Sequence, residues 1–258
     1  MGAEELVADT PADGVLRLTL ARPERRNALS TPLLSAVAAA LVAAAEDEAV
    51  RSVLLTGGEK VFAAGADIQE IADRDVQGAL GDPRVALWGR IRAFPKPLVA
   101  AVSGWCLGAG LELALCCDLI VAGEDARFGA PETSLGIMPG AGGTAVLPRL
   151  VGPALAARMV LLGEPISAAE ALAAGLIMEV APPETAQARG LEIAKAAAAR
   201  APLALRQAKA SLRAALELPL GAHLAFERQA FAALFATRDK AEGVAAFLEK
   251  RKPDWVGR

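Results

Sequence analysis

The chain reads as an α/β domain that gives way to a helical C-terminal part. Three features predict this. Apolar runs of strand length alternate with helical patterns through the first half. After about Ala154 the strand signals thin out and helical spacing takes over. The 258 residues, 54% hydrophobic and 22% charged, also supply enough apolar side chains for one large core. The expected division is a core over 1–195 and a helical segment over 196–258. That segment lacks a core of its own, so it must pack on the main domain or on another subunit.

Val15 to Leu20 (VLRLTL) alternates with a period near two and predicts a strand. Ser30-Thr31-Pro32 then opens an alanine-rich helix with a capping residue and an early proline. Arg51 to Thr56 and Pro97 to Val102 read as buried strands, each followed by glycine and small residues, and Asp118 to Ala122 is a third. ALAARMVLLG, SAAEALAAG, the stretch Glu184 to Arg200 and the segments after Pro202 and Pro219 carry helical spacing.

The formal net charge is -3 and the longest basic cluster is Lys250-Arg251-Lys252, which argues against a nucleic-acid partner. Three cysteines, two of them adjacent, make neither a disulfide framework nor metal-ligand spacing, and His223 is the single histidine. No metal is expected. Glu4, Glu5 and Asp9 speak against a secretory signal or transit peptide, and the longest apolar run, Ala36 to Ala45, has ten residues, too few to span a bilayer. A soluble cytoplasmic protein with no membrane partner is the expectation.

Three small-residue segments could carry chemistry. In SGWCLGAGLELALCCDLIVA a helix beginning near Gly108-Ala109-Gly110 would present free N–H groups to an oxyanion, with Glu112 one turn inside it. A first-turn glutamate favoured by the helix dipole is an equal alternative. In VFAAGADIQE, Gly65 permits an unusual backbone angle and Ala66 lets a ligand reach its N–H, while Asp67 also reads as an ordinary helix cap. FGAPETSLGIMPGAGGTAVLPRL carries Glu132, twenty residues beyond Glu112. The two could meet as general acid and base, or each could sit alone in a first turn. Gly140 to Ala145 formally matches a dinucleotide fingerprint, but Pro139 precedes it and no βαβ unit surrounds it. His223 reads as a surface or interface residue, and Trp88 and Trp255 read as packing residues rather than binding platforms.

Taken together, RPERRNALS, FAAGADIQE, VAAVSGWCLGAGLELALCCDLIVA, ARFGAPETSLGIMPGAGGT, GEPISAAEALAAGLIMEV and EGVAAFLEKRKP resemble the enoyl-CoA hydratase/isomerase (crotonase) family over nearly the whole chain. The resemblance implies a spiral core of repeated ββα units with a C-terminal helical trimerisation segment, assembled as a homotrimer or dimer of trimers. It implies an acyl-CoA thioester substrate and no cofactor beyond the CoA that the substrate carries. The thioester oxygen would be held by the N–H groups of Ala66 and Ala109, the latter a departure from the family's common glycine. Glu112 would deprotonate water and Glu132 would protonate the α-carbon. Arg25, Ala64, Ala66, Asp67, Ile68 and Gly140 would lie along the substrate, with Phe247 and Lys250 at its nucleotide end, from this subunit or the next. Retention of both glutamates favours a 2-enoyl-CoA hydratase over an isomerase, a specialised dehydratase or a catalytically inactive assembly protein. The stretch Ile71 to Phe94 is the expected variable wall of the acyl pocket.

Overall fold

The computed structural model describes residues 5–258; Met1–Glu4, part of the acidic N-terminus read above, lie outside the described residues. Strands β1 (Leu6–Ala12) and β2 (Val15–Leu20) form an antiparallel hairpin. Helix α1 (Thr31–Glu46) starts where the sequence predicts: Ser30 Oγ accepts from the Leu33 N–H at 3.2 Å, and Pro32 stands in the first turn. Its Leu33, Leu34, Val37, Ala38 and Leu41 recur at helical spacing and are buried.

The chain then winds between two sheets. Strand β3 (Ser52–Thr56) joins the first sheet and β4 (Val61–Ala63) the second, followed by three short helices, α2 (Ile68–Ile71), α3 (Val76–Leu80) and α4 (Arg84–Arg92). The next turn repeats the order with β5 (Leu98–Val102), β6 (Trp105–Leu107) and α5 (Ala109–Ala114). A third begins with β7 (Leu119–Gly123) and β8 (Arg127–Gly129) and ends in the 3-10 turn Pro131–Leu135 and α6 (Gly143–Val151). This is the spiral of ββα units expected from the resemblance. Helix α7 (Pro153–Leu161), β9 (Ile166–Ser167), α8 (Ala168–Ala173) and β10 (Glu179–Ala181) complete the sheets.

The first sheet runs β1-β2-β3-β5-β7-β10 and the second β4-β6-β8-β9. In the first sheet every pairing after the hairpin is parallel, and β3 and β5 are buried along their whole length. Burial on both faces explains why these strands read as continuous apolar runs rather than alternations. Their side chains still divide by parity. Val53, Leu55, Leu98 and Ala100 face the main core, whereas Leu54, Val99 and Ala101 face a second one under α9 (Ala186–Ala198). Residue 195 falls inside α9, whose Ala194 and Ala198 are still packed on the sheet, so the chain leaves the core after Ala198.

Helices α10 (Pro202–Ala214), α11 (Leu220–Leu234) and α12 (Arg238–Glu249) follow, two of them starting at the prolines that mark them in sequence. The buried Lys209 of α10 pins this segment to the core. Its Nζ lies 2.6 Å from Asp118 and donates to the Lys96 carbonyl at 2.6 Å. No residue of α11 is buried in the single chain.

Candidate active site

Strands β4, β6 and β8 are parallel neighbours in the second sheet, so the segments leaving their C-terminal ends lie side by side. Those segments are 64–67, 108–109 and 130–132, the three small-residue stretches singled out in sequence. Topology therefore brings together what spacing could not. The result is a cavity of about 510 Å³ whose wall includes Ala64, Gly65, Ala66, Gly108, Ala109, Glu112, Glu132 and Gly140. Carboxyl ends of parallel strands are where open α/β sheets usually build sites.

Two glycines permit the close fit. A Cβ on Gly110 would stand 2.3 Å from the Ala63 carbonyl oxygen, so α5 can lie against β4 only with glycine there. Gly108 has φ +51°, and a Cβ on it would meet Glu132 Oε1 at 3.1 Å and Gly65 Cα at 3.6 Å. The 65–66 and 108–109 segments thus flank each other with Glu132 against them. Neighbouring hydrogen bonds bypass the N–H groups of Ala66 and Ala109. Leu29 donates to the Gly65 carbonyl, Asp67 to the Leu29 carbonyl and Glu112 to the Gly108 carbonyl. Both N–H groups belong to residues on the cavity wall.

Glu112 and Glu132 both line the cavity but sit in unlike surroundings. Glu112 is 5% exposed, and its Oε1 accepts from the N–H groups of Ala141 at 2.7 Å and Gly143 at 2.8 Å. Burial raises its carboxyl above the usual range, opposed by those two donors and by the nearby Arg92 charge. Arg92 also donates to the Ala141 carbonyl at 2.6 Å, in the peptide that lies between the two whose N–H groups hold Glu112. Glu132 has no comparable support, and its Oε2 is buried without a hydrogen-bond partner among the described residues. Burial, with a further contribution from the Glu112 charge, pushes it up to about 7, opposed only by its own backbone N–H. The Glu112 charge thus reaches Glu132 across the cavity that both carboxyls line.

The Gly140 to Ala145 run, formally a nucleotide fingerprint, has a different use. Its N–H groups at 141 and 143, at the start of α6, cradle the Glu112 carboxylate. Contacts spanning 29 and 31 residues leave no local signal, so sequence reasoning missed this role.

The structure does not bring every expected residue to the cavity. Asp67 is 8% exposed and turned inward: it caps α2 through the Gln69 N–H and accepts from Arg22 Nη1 at 2.8 Å. Its carboxylate therefore takes the cap role weighed for it in sequence. Arg25 is exposed on the turn Pro23–Arg25, off the cavity wall. Phe247, 83% exposed, and Lys250, the C-cap of α12, are likewise absent from the wall in this chain. The stretch Ile71 to Phe94 does form a wall, through Ile71, Arg74, Ala79, Asp82, Arg84, Val85 and Trp88.

Comparison with known proteins places the chain in a family. The family model for enoyl-CoA hydratase/isomerase matches residues 10–258, and the chain belongs to that family. It is 52% identical to the 2,3-dehydroadipyl-CoA hydratase of Escherichia coli K12, over 95% of this chain and 96% of that protein. A probable enoyl-CoA hydratase of Rhizobium meliloti is 43% identical over the whole of both chains. The crystal structure of an enoyl-CoA hydratase from Bacillus anthracis superposes with a TM-score of 0.94 at 36% identity, covering 99% of this chain and all of that one.

Proposed function

We propose that the protein is a 2-enoyl-CoA hydratase, adding water reversibly across the 2,3 double bond to give a 3-hydroxyacyl-CoA in acyl-CoA catabolism. The observation that carries this is the asymmetry of the carboxyl pair. Glu112 is anchored by two N–H donors that favour its charged form, while Glu132 is unsupported and titrates near neutrality. One is suited to take a proton and the other to give one.

In hydration, Glu112 removes a proton from water as its oxygen bonds to the β-carbon. The π electrons move toward the thioester, whose oxygen becomes an enolate held by the Ala66 and Ala109 N–H groups, and Glu132 delivers its proton to the α-carbon. Between turnovers Glu112 releases its proton and Glu132 regains one. Dehydration runs the roles backwards. No step requires a cofactor. Each main-chain donor is worth about 3 kcal/mol once charge develops on the oxygen, and the change from glycine to alanine at 109 leaves the N–H in place.

Further parts of the reading have separate support. The 52% identity to a 2,3-dehydroadipyl-CoA hydratase makes a six-carbon dicarboxylic enoyl-CoA the first substrate to test. Exposed apolar side chains on the C-terminal helices, among them Leu212, Leu220, Phe231 and Phe247, support assembly as a homotrimer or dimer of trimers. Phe247 and Lys250 would then reach the nucleotide end of a neighbouring subunit's substrate, with Arg25 near the mouth of this one. Among the described residues no helix is long and apolar enough to cross a membrane, and the net charge of -3 supports a protein without a nucleic-acid partner, working in the cytoplasm.

The test is hydration of crotonyl-CoA and longer 2-enoyl-CoAs, followed by loss of the conjugated thioester absorbance. Turnover is expected; none at any chain length would overturn the reading, and double-bond migration without hydration would replace it with an isomerase.

A further inference from the structure

The wall formed by α2, α3 and α4 is apolar except at one place. Ile71, Ala79, Val85 and Trp88 surround three charged residues, Arg74, Asp82 and Arg84. Arg84 donates through Nε and Nη2 to Asp82 Oδ2 at 2.8 and 2.6 Å, and Arg74 Nη1 donates to that same oxygen. The other Asp82 oxygen is taken by the Arg84 N–H at 2.9 Å. Burial pushes the Asp82 carboxyl up, but its bonds to Arg84 and the two adjacent positive charges hold it below the usual range, so it is ionised.

Two guanidiniums thus share one carboxylate, and a positive charge is left uncompensated on the wall of an acyl cavity. The side chains are only 24% and 14% exposed, so solvent does little to neutralise the excess. Asp82 is the one side-chain acceptor that either arginine has among the described residues, and each guanidinium carries five donors in a planar fork. Glu112 and Glu132 are carried by α5 and the turn Pro131–Leu135, whereas Arg74 and Arg84 belong to the α2–α4 wall of the same cavity. The arginine pair therefore stands on a different wall from the two carboxyls, available to the distal end of a bound acyl chain. An alkyl tail would bury this charge without compensating it, whereas a carboxylate would neutralise it with charge-assisted hydrogen bonds.

We propose that Arg74 and Arg84, braced by Asp82, form a subsite for the ω-carboxylate of a dicarboxylic 2-enoyl-CoA. The proposal rests on the acyl-CoA reading of the cavity and assigns the specificity of that same site.

Binding of two unreactive probes tests it independently of turnover. Adipyl-CoA and hexanoyl-CoA have equal carbon counts and differ at the distal end, carboxylate against methyl. Calorimetry on the intact protein should give an adipyl-CoA Kd at least about tenfold lower than that of hexanoyl-CoA. Arg74→Gln and Arg84→Gln should each bring the ratio of the two affinities toward one, with hexanoyl-CoA binding reporting that the cavity is still formed. Arg90→Gln removes a positive charge from an exposed position of α4 off the cavity wall and should keep the ratio. Equal affinities in the wild type, or arginine variants that weaken both probes alike, would overturn the proposal; the second result would mean that the arginines bind the CoA part instead. If adipyl-CoA wins and crotonyl-CoA is not hydrated, the subsite stands and the hydratase reading falls. If crotonyl-CoA is hydrated and the affinities are equal, the reverse holds.

Discussion

Replacing Glu132 by glutamine should stabilise the protein while removing its activity. The native carboxyl titrates at about 7 instead of 4.5, so the folded state binds this proton more tightly than the unfolded chain does. The stability it contributes is therefore fully present below about pH 4.5 and is lost as pH rises through about 7. A change from 4.5 to about 7 corresponds to at most about 3.4 kcal/mol, at 1.36 kcal/mol for each tenfold change in proton affinity. Glu132 is partly open to the cavity, and solvent screening reduces the expected value to about 1–2 kcal/mol. Glutamine stays neutral and lacks this dependence. Urea denaturation of wild type and Glu132→Gln at pH 5 and pH 8.5, at one protein concentration, should show the variant gaining about 1–2 kcal/mol on the wild type between the two values. Parallel curves would refute the claim that this carboxyl sits half-buried without hydrogen-bond support.

The same pair of carboxyls predicts a bell-shaped pH profile for hydration. The alkaline limb falls above about 7 as Glu132 loses its proton, and the acid limb lies above the usual carboxylate range because burial raises Glu112. Gly108→Ala forces a side chain into positive φ and against Glu132, so it should cost about 1–2 kcal/mol of stability and depress kcat, read by denaturation and steady-state kinetics. Lys209→Ala removes the 2.6 Å partner of Asp118 and the tie to the Lys96 carbonyl, while Arg213 and the Leu98 N–H still hold that carboxylate, and should cost about 1–2 kcal/mol in the same denaturation assay. Arg92→Leu releases the Ala141 peptide and removes the one cation acting on Glu112; the acid limb should move to higher pH, as a steady-state pH profile would report.

What could be read from the sequence follows the range of the interactions. The start of α1 is written locally in Ser30-Thr31-Pro32, and the strands of the first sheet in apolar runs of the right length. The second sheet is harder, because β4, β6 and β8 have three residues each and carry no period of their own. That sheet is what aligns Ala66, Ala109 and Glu132, so their convergence is invisible in spacing. The Glu112 cradle at 141 and 143 is likewise a product of tertiary placement. The Arg74–Asp82–Arg84 cluster is local, spanning separations of two and eight residues, but only the fold sets it on the cavity wall. Asp67 shows the converse: the cap reading, available from Ala-Asp-Ile-Gln alone, is the one its side chain follows.

The central claim is that Glu112 and Glu132 work as one acid/base unit on one substrate, and the kinetics of Glu112→Gln, Glu132→Gln and the double variant test it most directly. Each single change should lower kcat for hydration by about a hundredfold to ten-thousandfold, and the double variant should be little slower than the worse single one, because a unit missing one member has already lost its function. Losses that multiply in the double variant, or a single variant within about tenfold of wild type, would contradict it.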